Sequence, residues 1–265
     1  MKKKGFTLIE LLVVIAIIAL LMGILMPALA RVRKMAQQVV CGTNLKGIGT
    51  AVQVFAGDFN QKYPKPNNDI WGPTAIGEGT ITSAFYKLIN NGYTNPDQFI
   101  CKSDGTTVPL ELSNFSTVIT SFAQGDDFGD KDPRSYCSYA YHCPFGQDAL
   151  SPESDPGMAL AADWNPFLGN SNVSGFDPAS TDSDLRKAAN CEAHEKEGQN
   201  VLFNDIHVKF HQYSFCALHE DNIYTFWAAS GTEMRRSGIA PTTTSYSPVD
   251  RTEDTVLLNE REDAL

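Results

Sequence analysis

MKKKGFTLIELLVVIAIIALLMGILMP, residues 1–27, sets three lysines and a glycine ahead of an apolar run that carries a single charge, Glu10. From Phe6 to Met26 the run spans 21 residues. At 1.5 Å per residue that is about 31 Å of helix, enough to cross a hydrocarbon core. Two general readings fit it in part. A cleaved secretory signal has a basic start and an apolar centre. This run is long for one, however, a charge sits at its start, and no small-x-small cleavage site closes it before Pro27. A plain membrane anchor accounts for the length but leaves Glu10 as a costly carboxylate at one end of the span.

Gly5-Phe6-Thr7-Leu8-Ile9-Glu10 resembles the prepilin processing motif of type IV pilins and type II secretion pseudopilins. The resemblance implies that a membrane prepilin peptidase cuts between Gly5 and Phe6 and methylates the new amine of Phe6. It also implies that Glu10 pairs, in a filament, with the N-terminal amine of a neighbouring subunit, which gives a buried carboxylate its counter-charge. The partners expected on this ground are prepilin peptidase, other pilin or pseudopilin subunits and the inner membrane. The chain would cross the membrane once, with its head periplasmic or extracellular. Charge alone sets no orientation, since Lys2–Lys4 precede the run and Arg31, Arg33 and Lys34 follow it.

Beyond Pro27, which is expected to kink the helix rather than end it, Cys41, Leu45, Ile48, Val52 and Phe55 step by 4, 3, 4 and 3. They share one helical face, with Lys34, Gln38, Lys46 and Gln53 opposite. The helix should end near Gly57–Asn60, ahead of Pro64 and Pro66. The expected fold is therefore α+β and pilin-like. It divides into a leader (1–5), a helix (6–60, with 6–26 transmembrane), a head with an antiparallel sheet (61–228) and a polar tail (229–265). In the head we expect a short helix at 81–90, strands at 113–123 and 136–142, and an apolar run at 158–164. Val201-Leu202-Phe203 and Val208-Lys209-Phe210 flank Asn204-Asp205 as a β-hairpin. Residues 61–80 and 165–190 read as long loops. Within the tail, Val256-Leu257-Leu258 is an apolar group able to dock.

A net charge of −10 argues against nucleic-acid binding, which needs a positive face to displace counterions. Six cysteines, Cys41, Cys101, Cys137, Cys143, Cys191 and Cys216, are disulfide candidates in an exported chain. The absence of a CxxC pair argues against a zinc ribbon or thioredoxin chemistry. Cys41 lies on the inward stripe, and Cys101 is its preferred partner. His194, Asp205 and His207 form a candidate metal set, with a plain polar hairpin turn as the simpler reading. His207 and His211, four apart on a strand, would lie ~13 Å apart and cannot share an ion. Asp126, Asp127, Asp130 and Asp132, around Gly125 and Gly129, are candidate Ca2+ ligands. Their spacing is not that of an EF-hand, and a solvated acidic loop is the simpler reading. No other cofactor is expected. With no Gly-x-Ser-x-Gly elbow, Walker loop or dinucleotide fingerprint, the chain reads as a filament subunit and not an enzyme. The alternative is a ligand- or glycan-binding module on a pilin-type anchor.

The head is similar to a narrower family, the prepilin-type processing-associated proteins. Members carry Cys-x-x-Asn-Leu on the helix, here Cys41-Gly42-Thr43-Asn44-Leu45. They carry Asn-Pro…Phe-x-Cys-Pro-Ser-Asp, here Asn95-Pro96, Phe99, Cys101, Ser103 and Asp104, with Lys102 in place of proline. They also carry a histidine, nine residues, then Asp-Gly. Here ten residues separate His194 from Asp205, and Ile206 stands where the glycine would be. If that glycine supplies a positive φ, Asn204 or Asp205 is expected to take the conformation instead.

Overall fold

A computed structural model describes residues 8–65, 81–105, 107–108, 136–144, 149–168, 173–227, 232–241 and 254–258. The leader with Gly5 and Phe6, the strand expected at 113–123 and the acidic loop with Asp126, Asp127, Asp130 and Asp132 lie outside the described residues.

Helix α1, Leu8–Asp58, runs unbroken through Pro27. Proline removes one backbone bond there, yet the apolar run on either side carries the helix on. Its end has a local cause. Asn60 and Gln61 turn left-handed, with φ of 55° and 57°, and the Gln61 N–H donates back to the Ala56 carbonyl at 2.8 Å. That six-to-one bond closes an orphan carbonyl as a Schellman motif does. The chain forms two compact units, Met1–Gln37 and Gln38–Leu265.

In the second unit, α1 buries Cys41, Leu45, Ile48, Gly49, Ala51, Val52, Phe55 and Ala56, the stripe read from the sequence and its immediate neighbours. Helix α2, Ile81–Asn90, adds Ala84, Phe85, Leu88 and Ile89 to the same core. Phe85 meets Phe99 and Tyr141, with ring centroids 5.1 and 4.6 Å away.

The sheet has five antiparallel strands: β1 Tyr139–His142, β2 Ala159–Asp163, β3 Gln199–Phe203, β4 Val208–His211 and β5 Leu257–Leu258, in the order β4-β3-β2-β1-β5. Residues on β1, β2 and β3 are buried without alternation, because both faces are covered. One face packs against α1 and α2. The other packs Ala140, Ala159, Ala162, Val201 and Leu257 against Ala217, Ile223 and Tyr224. The edge strand β5 comes from the segment read as tail, and Leu257 N also bonds the Ile223 carbonyl at 2.8 Å. The stretch read as a loop at 165–190 holds a short helix α3, Ser183–Lys187, capped by the Asp182 side chain. A fourth short helix, α4, spans Thr232–Ser237.

Candidate functional site

In the first unit, Leu8, Ile9, Leu11, Leu12 and the apolar side chains that follow to Leu29 and Val32 are exposed. Each is worth about 1.5–3 kcal/mol when buried, so the run leaves on the order of tens of kcal/mol uncollected by its own chain. α1 is the one helix among the described residues long and apolar enough to cross a membrane. Glu10 lies exposed in its first turn, where the helix dipole favours a negative charge.

In the head, Cys41, Cys101, Asp163 and His194 meet in a single buried cluster. Cys41 on α1 and Cys101 are joined as a disulfide, with Cα atoms 5.1 Å apart. Asn44, one turn along α1, donates to the Ile100 carbonyl at 2.9 Å, holding the Cys101 segment against the helix. On the other side, Ser138 N donates to the Phe99 carbonyl at 2.8 Å and Ser138 Oγ to Asp104 Oδ2 at 3.1 Å. His194 arrives at the end of a 3-10 turn, Glu192–His194, and its ring sits edge-on to Phe210. Its Nε2 lies 3.8 Å from Cys101 Sγ, 3.1 Å from Asp163 Oδ2 and 3.3 Å from Asn200 Nδ2. Asp163, at the end of β2, is fully buried. Its Oδ2 accepts from Asn200 N at 2.6 Å and Asn200 Nδ2 at 3.3 Å. Gly42 lets Asn200 come close, since a Cβ there would sit 3.2 Å from Asn200 Oδ1.

Cysteine, histidine and aspartate in contact invite comparison with a catalytic triad. In a triad the histidine bridges, one nitrogen to the nucleophile and the other to the acid. Here both contacts fall on Nε2, Cys101 is tied to Cys41, and the groups are buried. The geometry is convergent and does not relay a proton.

Residues 1–26 match the family model described as the prokaryotic N-terminal methylation motif. The chain carries a prepilin-type N-terminus. With the long apolar helix and the antiparallel head it is α+β and pilin-like, and the motif implies a structural subunit that prepilin peptidase processes. No curated protein and no solved structure matches the chain.

The pilin-like head distributes the other expected site residues differently. His194 does not join Asp205 and His207. It sits at the Asn200 end of β3, and they sit in the exposed turn at the far end, roughly 15 Å along the strand. Asp205 accepts from the His207 backbone and ring, an Asx-type turn. The backbone N–H of His207, above all, holds the Asp205 carboxyl below its usual range. His207 stacks on Phe203, centroids 4.4 Å apart. Cys137, Cys143, Cys191 and Cys216 stand as thiols, the first three buried. Cys137 and Cys143 flank β1, six residues apart and roughly 20 Å in extended chain, too far to bond. Burial pushes the Cys191 and Cys216 thiols up.

The turn also corrects the reading of Ile206. Neither Asn204 nor Asp205 takes the left-handed conformation; Ile206 does, with φ 67°. Ile206 N donates to the Phe203 carbonyl at 2.9 Å, a tight turn followed by a left-handed residue where glycine is usual. The conformation is held from α1. Lys46 Nζ donates to the Ile206 carbonyl at 2.6 Å, and the Ile206 side chain packs over Gly49. Asn204 is instead a buried polar hub. It donates to the Ser151 and Ser154 carbonyls and accepts from the Tyr63 hydroxyl at 2.7 Å.

Asp163 was not singled out from the sequence. The available signal was that it is the single charged residue in the apolar run 158–164.

Proposed function

We propose that the chain is a prepilin-processed, membrane-anchored subunit of a type IV pilus-like or type II secretion pseudopilus filament, and not an enzyme. The observation that carries this reading is the methylation motif at residues 1–26 leading into a helix whose apolar side chains are exposed on every face. Such a surface needs a second apolar environment. Lipid provides it for the stored subunit, and the packed helices of neighbouring subunits provide it in a filament. Cleavage after Gly5 keeps the helix in the mature protein and frees the amine of Phe6 for Glu10 of a neighbour. The head then stands on the periplasmic or extracellular side of the inner membrane.

Intact-mass and N-terminal peptide analysis of the chain co-expressed with a prepilin peptidase tests the processing. The mature protein is expected to start at a methylated Phe6, and Gly5→Val to retain the leader. A product that starts at an unmodified Met1 would sink the reading. Glu10→Leu should be cleaved normally yet fail to enter filaments; normal assembly would remove the proposed pairing.

A further inference from the structure

We propose that Cys41, Cys101, His194 and Asp163 form a zinc site when the disulfide between the two cysteines is reduced. The sulfurs of Cys41 and Cys101 and a ring nitrogen of His194 all lie within 4.8 Å of one another, and all three residues are buried. Asp163 Oδ2 is 3.1 Å from the same Nε2. Its other oxygen, Oδ1, is buried with no hydrogen-bond partner among the described residues. Two thiolates and one imidazole nitrogen are three converging donors of the types that zinc takes in tetrahedral sites, and the Asp163 carboxylate beside His194 would supply the fourth.

The arrangement around Nε2 explains itself on this reading. Nε2 has three polar neighbours, Cys101 Sγ at 3.8 Å, Asp163 Oδ2 at 3.1 Å and Asn200 Nδ2 at 3.3 Å, more than a single ring nitrogen serves as a simple hydrogen-bonding group. The same crowding is what a shared cation requires. A supporting layer is present as well. Asn200 gives both its backbone N–H and its side-chain amide to Asp163 Oδ2, the kind of contact that fixes a ligating carboxylate. An open groove of about 610 Å³ between α1 and β4 is lined by Gly42, Asn200 and Phe210. Gly42 is next to Cys41, and the other two touch His194.

The chemistry balances with a dithiol as reductant. The dithiol gives two electrons and two protons to the Cys41–Cys101 bond and closes its own disulfide. The two thiols then lose their protons as the ion binds, and zinc itself changes no oxidation state. In the oxidised chain the sulfurs carry no charge and hold no metal. The cluster thus exchanges one cross-link for another according to redox state, independently of whether the chain assembles into filaments.

The test uses the full-length chain in detergent, reduced without oxygen by a phosphine, stripped with a chelator and titrated with Co2+, then Zn2+. We expect a single Co2+ per chain with the thiolate charge-transfer and visible bands of a tetrahedral site, erased by equimolar Zn2+. The unreduced chain should bind at least ~100-fold more weakly and show no charge-transfer band. His194→Gln and Asp163→Asn should weaken binding by ~10-fold or more, and Cys191→Ser and Cys216→Ser should leave it unchanged. Cys101→Ser, which removes one thiolate, should weaken binding by ~10-fold or more; should it not fold, the His194 and Asp163 variants decide between the same outcomes. A reduced chain with no charge-transfer band overturns the proposal. So does a band that appears without reduction, that survives His194→Gln and Asp163→Asn undiminished, or that is lost with Cys191→Ser.

Discussion

His194 Nε2 lies 3.1 Å from Asp163 Oδ2, with both side chains sealed inside the head. Removing one member leaves the other buried without its partner, which is among the costlier single changes a core can suffer. Asp163→Ala is expected to lower stability by about 3–5 kcal/mol in urea unfolding of the oxidised chain. Asp163→Asn should cost less, because an amide oxygen still accepts from Asn200. A midpoint for Asp163→Ala equal to that of the parent would show the contact to be unimportant.

The Cys41–Cys101 link spans a sequence separation of 60. Chain-entropy arguments value a loop of that length at about 4 kcal/mol, through the unfolded state. The double variant Cys41→Ala, Cys101→Ala, unfolded in denaturant beside the oxidised parent, should lose about that much. A loss under about 1 kcal/mol would mean that the sulfurs are not bonded in the isolated chain.

At the hairpin, two opposed substitutions separate backbone strain from packing. Ile206→Gly should relieve about 1–2 kcal/mol of left-handed strain while giving up a half-buried side chain of similar worth. It is expected to fall within about 1 kcal/mol of the parent on thermal unfolding. Gly49→Ala, whose Cβ would lie 2.8 Å from Leu202 Cδ1 and 3.0 Å from Ile206 Cγ2, should cost about 1–3 kcal/mol by overpacking. An equal loss from both would place the strain elsewhere.

Burial first, and the nearby charge of Asp254 second, push the Asp221 carboxyl up to about 8. Its Oδ2 receives the Thr255 N–H at 2.9 Å and so holds the segment that leads into β5. The folded chain keeps a proton here that the unfolded chain releases near pH ~4. This contribution is therefore full below about pH 4 and is lost as pH rises through about 8. His142 has the opposite sign. Burial lowers it to about 3, so its contribution is full above about pH 6.5 and fades as pH falls. Thermal midpoints across this range should peak between the two limbs. Asp221→Asn should flatten the alkaline limb and leave the acid limb in place; an unchanged alkaline limb would exclude Asp221 as its source.

The membrane-length helix, the buried stripe from Cys41 to Phe55, helix α2 and the β3–β4 hairpin were legible in residue order. Each rests on a short-range pattern: an uninterrupted apolar run, a 3.6-residue period, a two-residue alternation around a polar turn. β5 was harder to read, because its two-residue strand has no period and is defined by what it pairs with. The same holds for α3, whose capping signal sits inside a polar stretch.

Residue order was enough to set the N-terminal features, a processing motif, a single charge and a helix long and apolar enough to cross a membrane, because those features are local and additive. Tertiary structure alone decided the rest of the site. It took His194 away from Asp205 and His207 and set it on Asp163, Cys41 and Cys101, from four separate stretches of chain. It also gave Ile206 a glycine's conformation because Lys46 and Gly49 on α1 hold it there. Contacts of that kind come from the packing of a sheet against a helix, which no local pattern encodes.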